Sequence, residues 1–492
     1  MNTPSILISL LFFFGAPYAF AQTNYLENSL KLYGGNQNGT YLEMWYEGTN
    51  NYLSHSMRPN EIGTRTHKGT LSLNGKIFQK VDTVFTQSGK TYLSKTRYSK
   101  GELYTIPYGR KDIREISRTE LNNYLIKTLP YTPLLVLQHF YEQQASDLSI
   151  KKTDVSISYG GQIEDYYVTL NINKENYQVD SISTFSDIEE DDQFYGYGDV
   201  TDVFLYKKNR KSGLGLTPTL IIKRELNGQL IDTINIGKIG VLDELTQIII
   251  PPDTYTIKEK VPTQPDVSVD QYSENIHLIN LHHCGTRSLL VEFEDFLLVA
   301  ESPLNSTYGE QLLAEVKKIN STKPIKYFTF GHFHPHYTGG IRPFIHQGAK
   351  IICLEQNNEY IQSIANAKFT LKPDSLEISP KEVQFENLYQ AKTITDGSFY
   401  MTLYHIGKKS NHTDDYLIYY FPKEKMIFED DLVWIDEDTN KSNISELTSG
   451  FYQAVKDLNL QVDEVVQNWH VFNKEENMIF KFETLKKIFE DQ

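Results

Sequence analysis

A ten-residue segment in the second half of the chain carries three histidines directly after an apolar run. Residues 325–330 have the composition of a buried β-strand and lead into Gly-His-Phe-His-Pro-His-Tyr-Thr-Gly-Gly at 331–340. Side chains alternate along an extended backbone, so His332 and His334 point to the same side. Two imidazoles on one side are half of a zinc site, which requires about four nitrogen, oxygen or sulfur ligands. The two adjacent glycines, Gly339 and Gly340, allow a tight backbone turn beside the metal. The segment therefore predicts a metal centre at a strand end.

Further candidate ligands stand at the ends of later apolar segments. They are His412 before residues 416–421, Asp430 and Asp431 after residues 426–428, and His470 after residues 465–469. A carboxylate at the end of a buried strand is unfavourable unless it meets a cation. We therefore expect these residues to converge with His332 and His334.

The order of these residues resembles that of the metallo-β-lactamase superfamily, whose motif is His-x-His-x-Asp-His-x-Gly-Gly. The resemblance covers about residues 276–489. It implies an α/β fold, an αββα sandwich with metal ions at one edge of the sheets. It also implies a first zinc site formed by His332, His334 and His412, and a second site served by Asp431 and His470.

Two positions depart from the family motif. Where the family has Asp-His, this chain has His336 and Tyr337. An imidazole at 336 could still bind a metal, but it lacks the charge of a carboxylate. A tyrosine is a poor zinc ligand unless it ionises far below its usual pKa of about 10. The first site is therefore predicted to be complete and the second to be altered. Glu301, where many relatives carry aspartate, is expected to organise the residues around the metal ligands.

The predicted site supports hydrolysis through a metal-bound hydroxide, because zinc with three histidines keeps a position for water. Asp431 is the candidate to orient this water, and His336 or Tyr337 to protonate the leaving group. We expect a zinc enzyme, with one ion or two, that cleaves an ester, thioester, lactone or lactam. The alternative is a non-catalytic periplasmic ligand-binding protein with a degenerate or structural metal site. A redox enzyme with iron is disfavoured because no flavin-binding segment is evident.

The first half of the chain has the alternating pattern of antiparallel strands. Turn-forming pairs stand at 74–75, 88–89, 160–161 and 227–228. Thr119 is predicted to cap a helix that ends at Pro130. The histidines in this half, His55, His67 and His139, are scattered and are interpreted as surface or core residues. A large antiparallel sheet with a helix packed on it is therefore expected.

Clustered prolines at 251, 252, 262 and 265 predict a linker at residues 251–269, between a β-rich domain at 22–250 and the metallo-β-lactamase-like domain at 270–492. Residues 197–245, with Gly-Leu-Gly at 213–215, resemble the curved-sheet domains of lipoprotein-carrier-like periplasmic proteins.

The amino terminus predicts export. Residues 1–21 carry no charged side chain, are apolar from 6 to 14 and end in Ala-Phe-Ala, which predicts a cleaved signal peptide and a periplasmic or secreted protein without a stable membrane span. The net charge of 48 − 63 = −15 disfavours a nucleic-acid partner, so a small-molecule substrate is expected. Cys284 and Cys353 lie in apolar runs and are interpreted as buried free thiols.

Overall fold

The computed structural model describes residues 16–34, 41–52, 55–86, 89–108, 115–121, 123–143, 147–187, 198–212, 215–217, 221–245, 247–259, 265–435, 439–469 and 479–490. The chain divides into two compact units. The first comprises Met1–Asn51, Thr64–Ser186 and Val200–Val261, and the second comprises Tyr52–Gly63, Asp187–Asp199 and Pro262–Gln492. Two short segments from the first half of the sequence therefore belong to the second unit.

The first unit is built on a 14-stranded sheet with the order β16-β6-β5-β4-β3-β2-β1-β15-β14-β11-β10-β9-β8-β7, and β12 and β13 form a separate pair. Its strands are β1 (Tyr41–Tyr52), β2 (Gly63–Leu73), β3 (Ile77–Phe85), β4 (Thr91–Ser99), β5 (Glu102–Tyr108), β6 (Glu115–Glu120), β7 (Ser149–Lys152), β8 (Ser156–Ile163), β9 (Tyr166–Asn173), β10 (Val179–Ser186), β11 (Val200–Lys207), β12 (Arg210–Ser212), β13 (Gly215–Thr217), β14 (Ile221–Leu226), β15 (Gln229–Leu242) and β16 (Thr256–Glu259). Its helices are α1 (Ala16–Leu32), α2 (Tyr124–Thr128) and α3 (Leu134–Glu142). The antiparallel sheet expected for this half is present, and β16, which pairs in parallel with β6, lies within the predicted linker.

The core of the first unit lies between the sheet and its helices. Alternate residues of β9, namely Val168, Leu170 and Ile172, are buried, as period-two side-chain alternation requires. They share one hydrophobic cluster with Leu30 of α1 and Phe140 of α3. The sheet therefore buries one face beneath the helices.

Two local predictions for this unit were wrong. Gly160 and Gly161 lie inside β8 and do not form a turn. A Cβ at Gly160 would collide with the hydroxyls of Ser149 and Tyr167, which lie 2.8 Å apart, so glycine lets this pair form. Thr119 lies in β6, where it pairs with β5.

The helix expected after Thr119 begins later, at α2. Its N-cap is Asn123, whose side chain accepts a hydrogen bond from the backbone N–H of Leu125 at 2.9 Å. By contrast, Asn227 and Gly228 do form the predicted hairpin turn, with φ of 46° and 82°.

A buried polar cluster surrounds Asp82 in the first unit. The Tyr46 hydroxyl donates to Asp82 at 2.8 Å, and Lys80 Nζ lies 3.3 Å from the same carboxylate. His67 stands between two acids, with Nδ1 3.8 Å from Asp82 and Nε2 3.5 Å from Asp232. Burial alone would raise the pKa of Asp82, but His67, Lys80 and Tyr46 outweigh it and lower the pKa to about 2.

Replacement of Asp82 by asparagine is expected to lower the free energy of unfolding of the first unit by about 2 kcal/mol at pH 7, since one pKa unit corresponds to about 1.4 kcal/mol. The folded pKa lies below the unfolded value of 3.8, so this stabilisation is present above pH 4 and is lost as the pH falls through about 2. The difference between wild type and variant should shrink to roughly half at pH 3. Urea unfolding at both pH values measures it, with the exposed Asp180→Asn as the control. An equal difference at both pH values would contradict the assignment.

The second unit contains two sheets, one of seven strands in the order β17 to β23 and one of six strands in the order β24 to β29. The strands are β17 (Val267–Gln271), β18 (Ile276–Leu281), β19 (Thr286–Glu292), β20 (Leu297–Ala300), β21 (Ile325–Thr329), β22 (Lys350–Ile352), β23 (Gln384–Phe385), β24 (Ala391–Thr395), β25 (Tyr400–His405), β26 (Leu417–Phe421), β27 (Met426–Glu429), β28 (Glu464–Gln467) and β29 (Ile479–Lys481). The helices are α4 (Ser306–Ile319), α5 (Pro335–Thr338), α6 (Arg342–Gln347), α7 (Asn358–Asn366), α8 (Ser375–Ile378), α9 (Glu446–Asp457) and α10 (Phe482–Glu490).

Three hydrophobic clusters show how these elements are layered. Leu289 of β19 packs with Phe428 of β27 between the two sheets. On the other face of the seven-stranded sheet, Leu290 lies in a cluster with helix α4. On the outer face of the six-stranded sheet, Ile427 packs in a cluster with Phe451 of α9. The second unit thus has helix, sheet, sheet and helix layers, which confirms the predicted αββα architecture for this part of the chain.

Among the described helices, none is both long and apolar enough to cross a membrane. Residues 1–15 of the predicted signal peptide lie outside the described residues. Cys284 and Cys353 are both free, as expected, but only Cys353 is buried, whereas Cys284 is partly buried. Desolvation still raises the pKa of the Cys284 thiol to about 12.

Candidate metal centre

The histidine segment begins directly after β21. Gly331 has to be glycine, because a side chain there would collide with the carboxylate of Asp430. Gly339 and Gly340 are also required by close packing. A Cβ at Gly339 would meet the backbone of Leu304, and Gly339 itself has φ of −58°, which any residue adopts. The glycine pair lies in a turn that leads into α6, as predicted, and close packing is what requires glycine there.

Three of the predicted ligands come together. One ligand nitrogen from each of His332, His334 and His412 lies within 4.8 Å of the others. His332 Nε2 is 3.0 Å from His334 Nδ1 and 3.2 Å from His412 Nε2. Zinc–nitrogen bonds of about 2.0–2.1 Å in a tetrahedral site place ligand nitrogens about 3.3 Å apart. The spacing of these imidazoles therefore fits a zinc ion.

The outward nitrogens of two of these histidines have fixed partners. His332 Nδ1 lies 2.7 Å from Asp430 Oδ2, and His334 Nε2 lies 3.1 Å from the backbone carbonyl of Ser56. Burial, reinforced by the neighbouring imidazoles, lowers the pKa of both His332 and His334 well below 6.5. The rings are therefore neutral. Each donates its outward N–H and turns an unprotonated nitrogen towards the shared position, as metal-binding histidines require.

A second carboxyl group lies buried behind Asp430. Glu301 follows β20 with φ of 66° and accepts hydrogen bonds from Gly331 N at 2.9 Å and from the Tyr419 hydroxyl at 2.5 Å. Burial raises the pKa of Glu301 to about 8 and, together with the charge of Glu301, raises that of Asp430. Two negative charges this close would repel each other, so the pair favours a state in which one of the two carboxyl groups keeps its proton. These contacts fit the expectation that Glu301 organises the residues around the ligands.

Asp431 is the carboxylate that borders the three histidines. Its Oδ2 lies 3.5 Å from His412 Nε2, and its side chain is 17% exposed. The Tyr416 hydroxyl is 3.2 Å from Asp431 Oδ1 and accepts from the Asp431 backbone N–H at 3.1 Å. The ring of Tyr416 also stacks on His332, with centroids 4.7 Å apart. One tyrosine thus fixes both a candidate ligand and the candidate proton acceptor.

The altered motif positions have different surroundings. The ring of His336 lies 4.4 Å from that of Trp469. Tyr337 is 1% exposed and packs against His332, with centroids 4.4 Å apart. Burial and the charge of Asp431 raise the pKa of Tyr337 well above 10, which favours the protonated phenol.

The predicted ligand His470 lies outside the described residues. Within the described ranges, His332, His334 and His412 form the only group of at least three histidine, cysteine or acidic residues at metal-binding spacing.

Sequence reasoning missed one histidine of this region. His55, interpreted as a scattered surface or core residue, lies in the second unit with its ring 4.8 Å from that of His334 and 5.3 Å from that of His336. Nothing in its local sequence indicated this position, because the contact depends on how a distant loop folds.

Replacement of Asp430 by asparagine is expected to weaken zinc binding by about 10- to 100-fold, the usual effect of removing the carboxylate partner of a metal-binding histidine. Asparagine keeps the size of the side chain but not the basicity that Asp430 offers to His332. Zinc affinity measured by competition with a chromophoric chelator tests this. Asp463→Asn, at an exposed carboxylate that contacts Lys425, is the matched control. An unchanged affinity would show that Asp430 does not support His332.

No family model and no curated protein matches the chain. Several solved structures are similar to part of it. A metallo-β-lactamase from Pontibacter korlensis is 18% identical, with 42% of this chain and 91% of that chain covered and a TM-score of 0.31. The metallo-β-lactamase DIM-1 is 17% identical, with coverages of 46% and 95% and a TM-score of 0.34. A flavo di-iron protein variant from Thermotoga maritima is 10% identical, with coverages of 46% and 61% and a TM-score of 0.32. At these scores the likeness alone assigns neither family nor activity.

Proposed function

We propose that the second unit is a zinc-dependent hydrolase of the metallo-β-lactamase type that cleaves an ester, thioester, lactone or lactam. The observation that carries this proposal is the convergence of three imidazoles at zinc spacing, supported by Asp430 and bordered by Asp431. This convergence does not favour the alternative of a degenerate site in a non-catalytic binding protein.

His332, His334 and His412 would hold the ion. Zinc bound there would supply a water molecule with a pKa near 7 and polarise the substrate carbonyl. The chain itself orients the imidazole rings of these ligands. Asp430 and the Ser56 carbonyl fix the rings of His332 and His334, so the three nitrogens stay directed at one point.

Asp431 is the group that we assign to proton movement. Its carboxylate lies beside His412 and is partly exposed, so it can reach both the metal-binding position and solvent. The contact with Tyr416 holds its Oδ1 in place, which leaves Oδ2 on the side of the histidines. We infer that Oδ2 accepts the proton of the attacking water and later returns it to the leaving group.

We infer one tightly bound ion. His336 and His470 stay candidate ligands for a second ion, together with Asp431. Phosphodiester cleavage usually uses two metal ions about 3.5–4 Å apart, so the altered second site favours a carbonyl substrate. Export through the predicted signal peptide is part of the proposal.

The test begins with protein purified without added metal. Plasma mass spectrometry should find about one zinc per chain, and a panel of chromogenic esters, thioesters, lactones and lactams should reveal turnover that a chelator abolishes and zinc restores. Failure of the chain to bind zinc offered at neutral pH would refute the proposal.

A further inference from the structure

A four-residue segment from the first half of the sequence contacts the candidate metal centre. Residues 55–58 follow β1 and precede β2, yet they belong to the second unit. The Ser56 carbonyl accepts from His334 Nε2, 278 residues away, at 3.1 Å. The Met57 carbonyl accepts from the backbone N–H of Asp414 at 3.0 Å, and Arg58 Nε donates to Asp414 Oδ2 at 2.5 Å. We call residues 55–58 the strap.

We propose that the strap holds His334 and the loop of His412 in their metal-binding positions, so that zinc affinity depends on it. This inference rests on the proposed zinc site. It adds a group of positioning residues that do not themselves bind the metal.

The contact with His334 fixes its protonation and its orientation. Nε2 must carry the hydrogen in order to donate to the Ser56 carbonyl, and Nδ1 is then the unprotonated nitrogen beside His332 Nε2. The ring of His55 packs against the same imidazole, with centroids 4.8 Å apart. Without the strap, His334 would have neither this acceptor nor this packing surface, and its ring could rotate away.

The second contact of the strap is with Asp414, which lies two residues after His412. Asp414 is held by the strap through both its backbone N–H and its carboxylate. The neighbouring Asp415 accepts from Phe333 N, between His332 and His334, at 3.0 Å. The loop that carries His412 is therefore fastened on one side to the strap and on the other to the histidine segment.

The strap also has an internal hydrogen bond, from Ser56 Oγ to the Arg58 carbonyl at 2.6 Å. Removing this bond together with the Arg58–Asp414 pair loosens the strap without altering any candidate ligand. The Arg58 side chain is 54% exposed, so its replacement should not disturb the core.

The experiment measures zinc affinity by chelator competition, and the rate of zinc loss to excess EDTA, in the full chain. The double variant Ser56→Ala, Arg58→Ala is expected to bind zinc about tenfold more weakly and to lose it faster. Arg58→Ala alone should weaken zinc binding by a smaller factor. Arg58→Lys should keep most of the wild-type zinc affinity. The matched control is Lys408→Ala, because Lys408 Nζ also approaches Asp414, at 4.0 Å, from a side chain that is 74% exposed, without being part of the strap.

The outcomes separate the two proposals. Wild-type protein that binds zinc, with a double variant within twofold of it, would overturn the role of the strap and leave the hydrolase proposal standing. Wild-type protein that binds no zinc would overturn both. Circular dichroism of the metal-free variants confirms that any loss of affinity is not a loss of fold.

Discussion

Replacing His412 by alanine is expected to release the bound zinc and to lower kcat/KM by at least about 1000-fold. Two imidazoles cannot hold zinc as three do, and the polarisation that the ion supplies is worth several kcal/mol, with tenfold in rate for each 1.4 kcal/mol. His412 suits this test because its side chain is 23% exposed and lies in a loop, so its removal leaves the core intact. Metal content by plasma mass spectrometry and steady-state kinetics measure the two losses together.

The control for this prediction is His346→Ala. His346 belongs to the same unit, where its Nδ1 contacts the carbonyl of Ser379 at 3.1 Å near the surface. It should keep both zinc and activity. A His412→Ala protein that retained its zinc would show that the metal is held elsewhere.

Replacing Asp431 by asparagine is expected to separate catalysis from metal binding. Proton transfer by a positioned side chain contributes about 100- to 10,000-fold, so kcat/KM should fall by that range. Zinc should stay bound, because all three histidines are intact. The fall should appear mainly in kcat, since Asp431 acts on the attacking water and not on the substrate.

Asp457→Asn provides the comparison for Asp431, because Asp457 is a surface carboxylate paired with Lys409 at 2.6 Å. It should behave as wild type. Full activity of Asp431→Asn would mean that another group moves the proton, whereas simultaneous loss of zinc would identify Asp431 as a ligand.

The grouping of His332, His334 and His412 could be predicted from the sequence because each stands next to an apolar strand. Strand ends that meet at one edge of a layered fold bring such residues together, and the resemblance to the metallo-β-lactamase motif implied these layers. The antiparallel sheet of the first unit was evident from alternation, which depends on local side-chain burial alone.

The residues that support the ligands could not be predicted in the same way. Asp430 and Asp431 are adjacent, and only the register of β27 determines that Asp430 faces His332 while Asp431 faces His412. The Ser56 carbonyl is a backbone group, which every residue has, so the residue type at this position does not predict its contact with His334. Gly160 resembles a turn residue because close approach within a sheet and positive φ both select glycine.

The large sheet of the first unit has a consequence for self-association. In the described part of the chain this sheet ends at β7 and β16, and the outer edge of a sheet offers backbone groups to which a strand of another molecule can add. Both end strands have only four residues. β7 carries the exposed Lys151 and Lys152, and β16 carries Lys258, which pairs with Glu115 at 2.8 Å. Short, charged edges of this kind oppose the growth of the sheet from one molecule into the next, so a 14-stranded sheet can persist without seeding fibres.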